Sequence, residues 1–157
     1  MISKWIDLRK SSQCVALATV LMAVATATAF ANNETPEVLK GVTIVTAEKA
    51  RALMASGAVM IDARVANEYA EAHVKGASNV PYKEKSAKAV NFDAAQDSFG
   101  VAKLPADKGA PIIFYCNAGE CWKSYKASVS AIKAGYKTVY WFRGGLPEWK
   151  AKNLPIE

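Results

Sequence analysis

The residues best placed to do chemistry in this chain are Cys116 and Cys121, in the run Ile112-Ile113-Phe114-Tyr115-Cys116-Asn117-Ala118-Gly119-Glu120-Cys121-Trp122-Lys123-Ser124. An apolar, strand-like stretch ends on a cysteine, a short loop containing glycine follows, and a helical pattern begins. That order places the Cys116 sulfur at a helix N-terminus, where unpaired backbone N–H groups and the helix dipole favour negative charge. A thiol there ionises more readily, and the thiolate is a nucleophile. The rival reading is a small buried residue closing a strand; loop, glycine and helix start together favour the nucleophile. Cys121 has two readings: a resolving thiol that attacks a Cys116 adduct, or a residue packed in the first helical turn. Whether the two cysteines can bond depends on their Cα separation. A bridge closing so few residues constrains the unfolded chain little, which favours reactivity over stapling.

The elements that must position this loop follow from hydrophobic pattern. Val42-Thr43-Ile44 suits a short strand, and Thr46 an N-cap. Ala50, Leu53 and Met54 then share a helical face before Gly57. Val59-Met60-Ile61 reads as a buried strand ending at Asp62, Glu68 to Ala72 as a short helix, and Ala77 to Val80 as a strand before Pro81. Residues 83–109 read as a connection with one helix around Ala94. Trp122, Tyr125, Val129 and Ile132 recur at helical spacing, so they should form a buried face ended by Gly135. Thr138 to Phe142 is the last strand; Arg143-Gly144-Gly145 makes a loop and Pro147 starts a closing helix through Trp149. Continuous apolar strands alternating with helices indicate an α/β fold with a parallel sheet covered on both faces. Sites in such sheets lie beyond the carboxyl ends of the strands. Asp62, Cys116 and Arg143 all follow strand ends and are expected to converge on one edge.

Other candidates are weaker. His73 is the single histidine; it lacks partners for a metal site and reads as structural, with general base as the alternative. Asp62 and Arg64 are expected to pair with each other or with loop backbone in a structural role. Arg143 either lines the pocket rim and orients an anion or is a solvated loop residue. Trp122, Trp141 and Trp149 read as core aromatics rather than a ligand-stacking set.

The chain has 157 residues and a formal net charge of +6. Lys83, Lys85, Lys88, Lys123, Lys126, Lys133 and Lys137 are scattered among acids and apolar groups. No basic stripe with interleaved aromatics is visible, so nucleic acid is not an expected partner. Residues 1–31 read as a cleaved export signal: Lys4, Arg9 and Lys10 form a positive start, Cys14 to Thr28 an apolar centre, and Ala29-Phe30-Ala31 a small-x-small cleavage site. The apolar stretch is shorter than the roughly 20 residues of a spanning helix. Arg9-Lys10 is not a twin-arginine pair, and Ser12-Gln13 does not suit a lipidated cysteine at position 14. A Sec-type signal, a periplasmic location and no membrane attachment after cleavage are expected. Residues 32–41 are expected to be a flexible lead-in, and 42–157 one domain, monomeric, holding only Cys116 and Cys121.

At these residues the chain resembles the rhodanese-like sulfurtransferases. Asp62-Ala63-Arg64 with Glu68-Tyr69, then His73-Val74-Lys75-Gly76-Ala77 and Asn79-Val80-Pro81, is similar to the family's first signature. Arg143-Gly144-Gly145 with Trp149 is similar to its second, and the cysteine-headed loop lies between. The nearest resemblance is to exported single-domain members whose loop ends in Cys-Trp. The resemblance implies a three-layer fold with a parallel five-stranded sheet and helices on both faces. It also implies a persulfide relay: Cys116 takes sulfane sulfur from thiosulfate, polysulfide or a protein persulfide and passes it to a thiophilic acceptor. No metal or organic cofactor is needed for that chemistry. Backbone N–H groups of Asn117, Ala118, Gly119, Glu120, Cys121 and Trp122 would curl around the sulfur, with Gly119 permitting the curl. Many relatives carry a positive residue late in the loop, where this chain has Glu120 and Cys121. A carboxylate there opposes an anionic donor and raises a thiol pKa; Lys123 offers compensation. Phosphatases and arsenate reductases of this fold have a longer loop ending in arginine, and Trp122 takes that place, which argues against phosphate chemistry.

Three functions remain open on the sequence alone. The leading one is a sulfurtransferase working through a Cys116 persulfide, with small sulfur anions or a sulfur-carrier or redox protein as partners. The second is a two-cysteine thiol–disulfide or sulfide-releasing enzyme. The third is a non-catalytic rhodanese-like carrier or binding module.

Overall fold

The computed structural model of the protein describes residues 34–157; the stretch read as an export signal lies outside them. The described residues hold seven strands and four α-helices. They run β1 (Val42–Ile44), α1 (Ala47–Ala55), β2 (Val59–Asp62), α2 (Ala66–Glu71), β3 (Ser78–Asn79), β4 (Tyr82–Lys83), β5 (Ser98–Phe99), β6 (Ile112–Tyr115), α3 (Trp122–Lys133), β7 (Val139–Phe142) and α4 (Gly145–Ala151). Five strands form a parallel sheet in the order β1-β7-β6-β2-β3.

Side chains alternate across the sheet and so build two cores. Ile113 and Tyr115 of β6 join Met60, Phe142, Ala47 and Ala50 of α1, and Leu146 and Trp149 of α4 on one face. Ile112 and Phe114 join Ile61, Val139, and Ala127 and Ala131 of α3 on the other. Helices thus cover both faces, as the buried apolar strands require. Each fully buried aliphatic or aromatic side chain contributes roughly 1.5–3 kcal/mol. Thr46 caps α1, its hydroxyl accepting from the Lys49 N–H at 3.3 Å, while the Glu148 carboxylate of α4 accepts from the Ala47 N–H at 2.8 Å. The two helices on that face are therefore joined end to side.

Several local expectations need correction. α2 starts at Ala66, two residues before Glu68, behind the N-cap Val65, whose side chain makes no capping bond and leaves no signature to read. α4 begins at Gly145, so Pro147 lies within its first turn rather than at its start. The connection 83–109 holds an antiparallel pair, β4 with β5, and the helix expected near Ala94 is one 3₁₀ turn capped by Asp93. On α3, Val129 and Ile132 are only half-buried, whereas Lys126, Ala127, Ser128 and Ala131 are buried. The reason is that α3 is enclosed on two sides, by the sheet and by this connection. Lys126, 0% exposed, reaches Glu84 Oε1 at 2.7 Å and Ser86 Oγ at 2.8 Å, with Phe92 beside it. Asp97 ties the connection together, accepting from the N–H groups of Lys85 and Ser86, the Ser86 hydroxyl and the Tyr82 hydroxyl.

Candidate active site at the Cys116 loop

Strand register assembles the site. Asp62 pairs with Tyr115 and Tyr115 with Phe142, so the next residues, Ala63, Cys116 and Arg143, emerge together at the carboxyl edge. The convergence expected there is present. Beneath it lies a closed polar cluster. Arg64 grips Asp62 through Nε at 3.0 Å and NH2 at 2.6 Å, and also donates to the Ala72 carbonyl. The Tyr115 hydroxyl donates to Asp62 at 2.6 Å and accepts from the Val74 N–H. Burial pushes the Tyr115 phenol far up, and the Asp62 carboxylate adds to it. Burial works against the Arg64 charge, but Asp62 outweighs it and the pKa is raised. This cluster holds the residue preceding Cys116; Asp62 and Arg64 are structural, as read.

Cys116 itself is 1% exposed, and its sulfur is bonded to that of Cys121, five residues on, with Cα atoms 6.1 Å apart. The separation lies inside the range that permits a bridge. Cys121 is the N-cap residue of α3, so the sulfur pair stands at the N-terminus of a helix of twelve residues. Cys121 is half-buried and opens on a cleft of about 250 Å³, lined also by Glu84, Lys88, Asn117, Glu120, Trp122 and Lys123. Lys88 and Lys123 therefore share this cleft with Glu120 and Glu84. The segment that carries Glu84 and Lys88 shows no periodicity, so no sequence signal places them beside this loop.

The loop's backbone departs from expectation. Gly119 does not supply the left-handed turn; Ala118 does, at φ 56°. Gly119 is needed for space, since a β-carbon there would come 2.9 Å from Cζ and NH2 of Arg143. The amides are not all free for the sulfur either, because the Cys121 N–H donates to the Ala118 carbonyl at 3.2 Å. The Asn117 side chain donates to Glu68 of α2. Trp122 is buried and stacks edge-on with Tyr125, which meets Trp141 in the same way; Trp149 donates to the Pro155 carbonyl. All three tryptophans are core residues.

Arg143 is not at the rim of the Cys121 cleft, where an anion was expected to meet it. Its Nε donates to Thr35 Oγ1 at 3.1 Å and its NH2 to the Thr35 carbonyl at 2.8 Å, with Glu34 3.5 Å away. Thr35 in turn donates to the Gly119 carbonyl. The lead-in expected to be flexible is fastened to the loop at this point through Thr35. His73 stacks on Tyr69 and bonds the Tyr69 carbonyl, while its backbone pairs with Glu157. It anchors the chain end.

A family model described as a rhodanese-like domain matches residues 46–152. The mitochondrial protein HIGH ARSENIC CONTENT 1 of Arabidopsis thaliana is 30% identical over 76% of this chain and 69% of its own length. Thiosulfate sulfurtransferase GlpE of Haemophilus influenzae is 29% identical over 72% of this chain and 92% of its own. A crystal structure of a thiosulfate sulfurtransferase from Pseudomonas aeruginosa superposes with a TM-score of 0.55 at 24% identity, over 74% of this chain and 20% of that one. A parallel sheet in this order, a cysteine loop at its carboxyl edge and a family match covering four of its five strands lead to one conclusion: this chain belongs to the rhodanese-like domain family, among relatives named as sulfurtransferases.

Proposed function

We propose that this protein is an exported sulfurtransferase that carries sulfane sulfur as a persulfide on Cys116. The observation that carries the reading is the position of Cys116, between the end of β6 and the N-terminus of α3. Backbone dipoles there favour the thiolate and the charge that develops on sulfur during transfer. The Cys116–Cys121 bond must first be opened by a dithiol reductant, which leaves as a disulfide. The Cys116 thiolate then attacks the outer sulfur of thiosulfate, the S–S bond breaks, and sulfite departs with the electron pair. A thiophilic acceptor such as cyanide or a thiolate next attacks the outer sulfur of the persulfide, and the Cys116 thiolate is regenerated. Lys88 and Lys123 give the cleft attraction for an anionic donor, offset by Glu84 and Glu120. A protein persulfide is consequently a donor the cleft suits better than thiosulfate or inorganic polysulfide, both of which are dianions.

The bonded cysteines favour a second reading of the same site. The Cys121 thiolate attacks Cys116 Sγ of the persulfide and expels hydrosulfide, restoring the disulfide. The test is turnover: reduced protein given polysulfide and cyanide should form thiocyanate faster than the two reagents do alone, and Cys116→Ser should not exceed that uncatalysed rate. Thiocyanate formation unaffected by Cys116→Ser would end the proposal.

A further inference from the structure

Glu34 and Thr35 precede the family match, which starts at residue 46, yet Thr35 is 2% exposed. Its N–H and its hydroxyl both donate to the Gly119 carbonyl, at 2.8 and 2.7 Å. Its own hydroxyl and carbonyl accept from Arg143, whose guanidinium lies against the α-carbon of Gly119. One carbonyl oxygen of the active loop thus accepts two hydrogen bonds from a residue more than eighty positions away in sequence.

The orientation of that carbonyl has a chemical consequence. The peptide joining Gly119 to Glu120 is trans, so the Glu120 N–H points to the opposite edge from the Gly119 oxygen. With the oxygen held by Thr35, the Glu120 N–H is fixed on the side of the peptide away from Thr35. A flip of that single peptide would exchange donor for acceptor, and an acceptor turned to the sulfur repels a thiolate. Ala118, immediately before Gly119, already holds the left-handed conformation, which costs an L-residue about 1–2 kcal/mol, so the loop needs an external hold to keep its shape.

We propose that Thr35 is a positioning residue for sulfur transfer, fixing the Gly119–Glu120 peptide so that its N–H faces the Cys116 sulfur. The inference rests on Cys116 being the sulfur carrier. A mere tether would hold this segment without altering the thiol; a positioning residue changes how readily that thiol ionises.

The test is the pH profile of Cys116 alkylation by iodoacetamide in reduced protein, read by mass on the Cys116 peptide in a Cys121→Ser background. Thr35→Val removes the hydroxyl donor, Thr35→Pro removes both donors, and Thr35→Ser keeps both. The midpoint should rise by about one pH unit in Thr35→Val, further in Thr35→Pro, and stay in place in Thr35→Ser. Single-turnover sulfur transfer from polysulfide should fall about ten-fold in Thr35→Val and recover in Thr35→Ser. Midpoints equal to the parent's in Thr35→Val and Thr35→Pro would overturn the inference; if Thr35→Pro does not fold, Thr35→Val alone decides. A parent that alkylates normally but takes up no sulfur defeats the functional reading instead, while the midpoints still decide the role of Thr35.

Discussion

Gly145 lies against the backbone of Cys116: a β-carbon added to Gly145 would come 2.1 Å from the Cys116 carbonyl oxygen and 2.8 Å from the Ala118 nitrogen. The same carbonyl accepts from the Leu146 N–H at 2.9 Å. The first turn of α4 is thereby the floor on which the cysteine loop rests, and Gly145 holds φ +59°, a conformation that suits glycine.

Gly145→Ala should therefore combine backbone strain with overpacking and destabilise by about 3 kcal/mol or more, read from urea unfolding. Sulfur transfer through Cys116 should fall in the same variant. A stability change within a few tenths of a kcal/mol would show that the loop floor yields easily.

Gly119→Ala attacks the loop from the other side. The new methyl group must displace the Arg143 guanidinium, and with it the contacts to Thr35. The expected result is a modest loss of stability, about 1 kcal/mol, with a larger relative loss of sulfur transfer. Equal stability and equal transfer would mean that Arg143 finds another seat at no cost.

These relationships mark where sequence reading succeeds and stops. β2, β6 and β7 were legible because their apolar runs are short, bounded and almost wholly buried, β1 because Val42 and Ile44 flank a polar residue, and α1 because Thr46 and Gly57 bracket it. Cys116 was legible because strand, loop and helix follow each other without a gap. Thr35 was not, since its partner Gly119 is a long-range backbone carbonyl and no spacing encodes such a bond. Gly119 invited a conformational explanation, whereas its reason is the guanidinium beside it. Lys126 resembles any helix-surface lysine by type; only the fold reveals Glu84, Ser86 and Asp97 closing over it.

That buried cluster predicts acid sensitivity. Burial acts to raise the Asp97 pKa, but hydrogen bonds from Ser86, Lys85 and Tyr82 hold it well below the usual aspartate range. A carboxyl depressed in the folded state stabilises fully above its unfolded value, about pH 4, and loses that contribution as pH falls through the lower folded value. Urea midpoints should fall below about pH 4 in the parent, and this part of the decline should be absent in Asp97→Asn. At neutral pH Asp97→Asn should cost about 2 kcal/mol, because an amide cannot accept all these donors. An unchanged acid profile in Asp97→Asn would assign the acid limb to other carboxylates.

Cys121→Ser separates carrying sulfur from releasing it. The variant cannot form the Cys116–Cys121 bond, so persulfide formation should persist and the persulfide should last longer, with less free sulfide released. Decay and sulfide release at the parent's rate would remove Cys121 from the resolving role and leave it a packed N-cap residue.

The most direct test of the sulfur-carrier account is the mass of the reduced protein after brief exposure to polysulfide, followed by removal of excess donor. The account predicts a gain of about 32 Da, one sulfur atom, on the peptide containing Cys116, reversed by cyanide and absent in Cys116→Ser. A peptide of unchanged mass in fully reduced, folded protein, or the same gain surviving in Cys116→Ser, would contradict it.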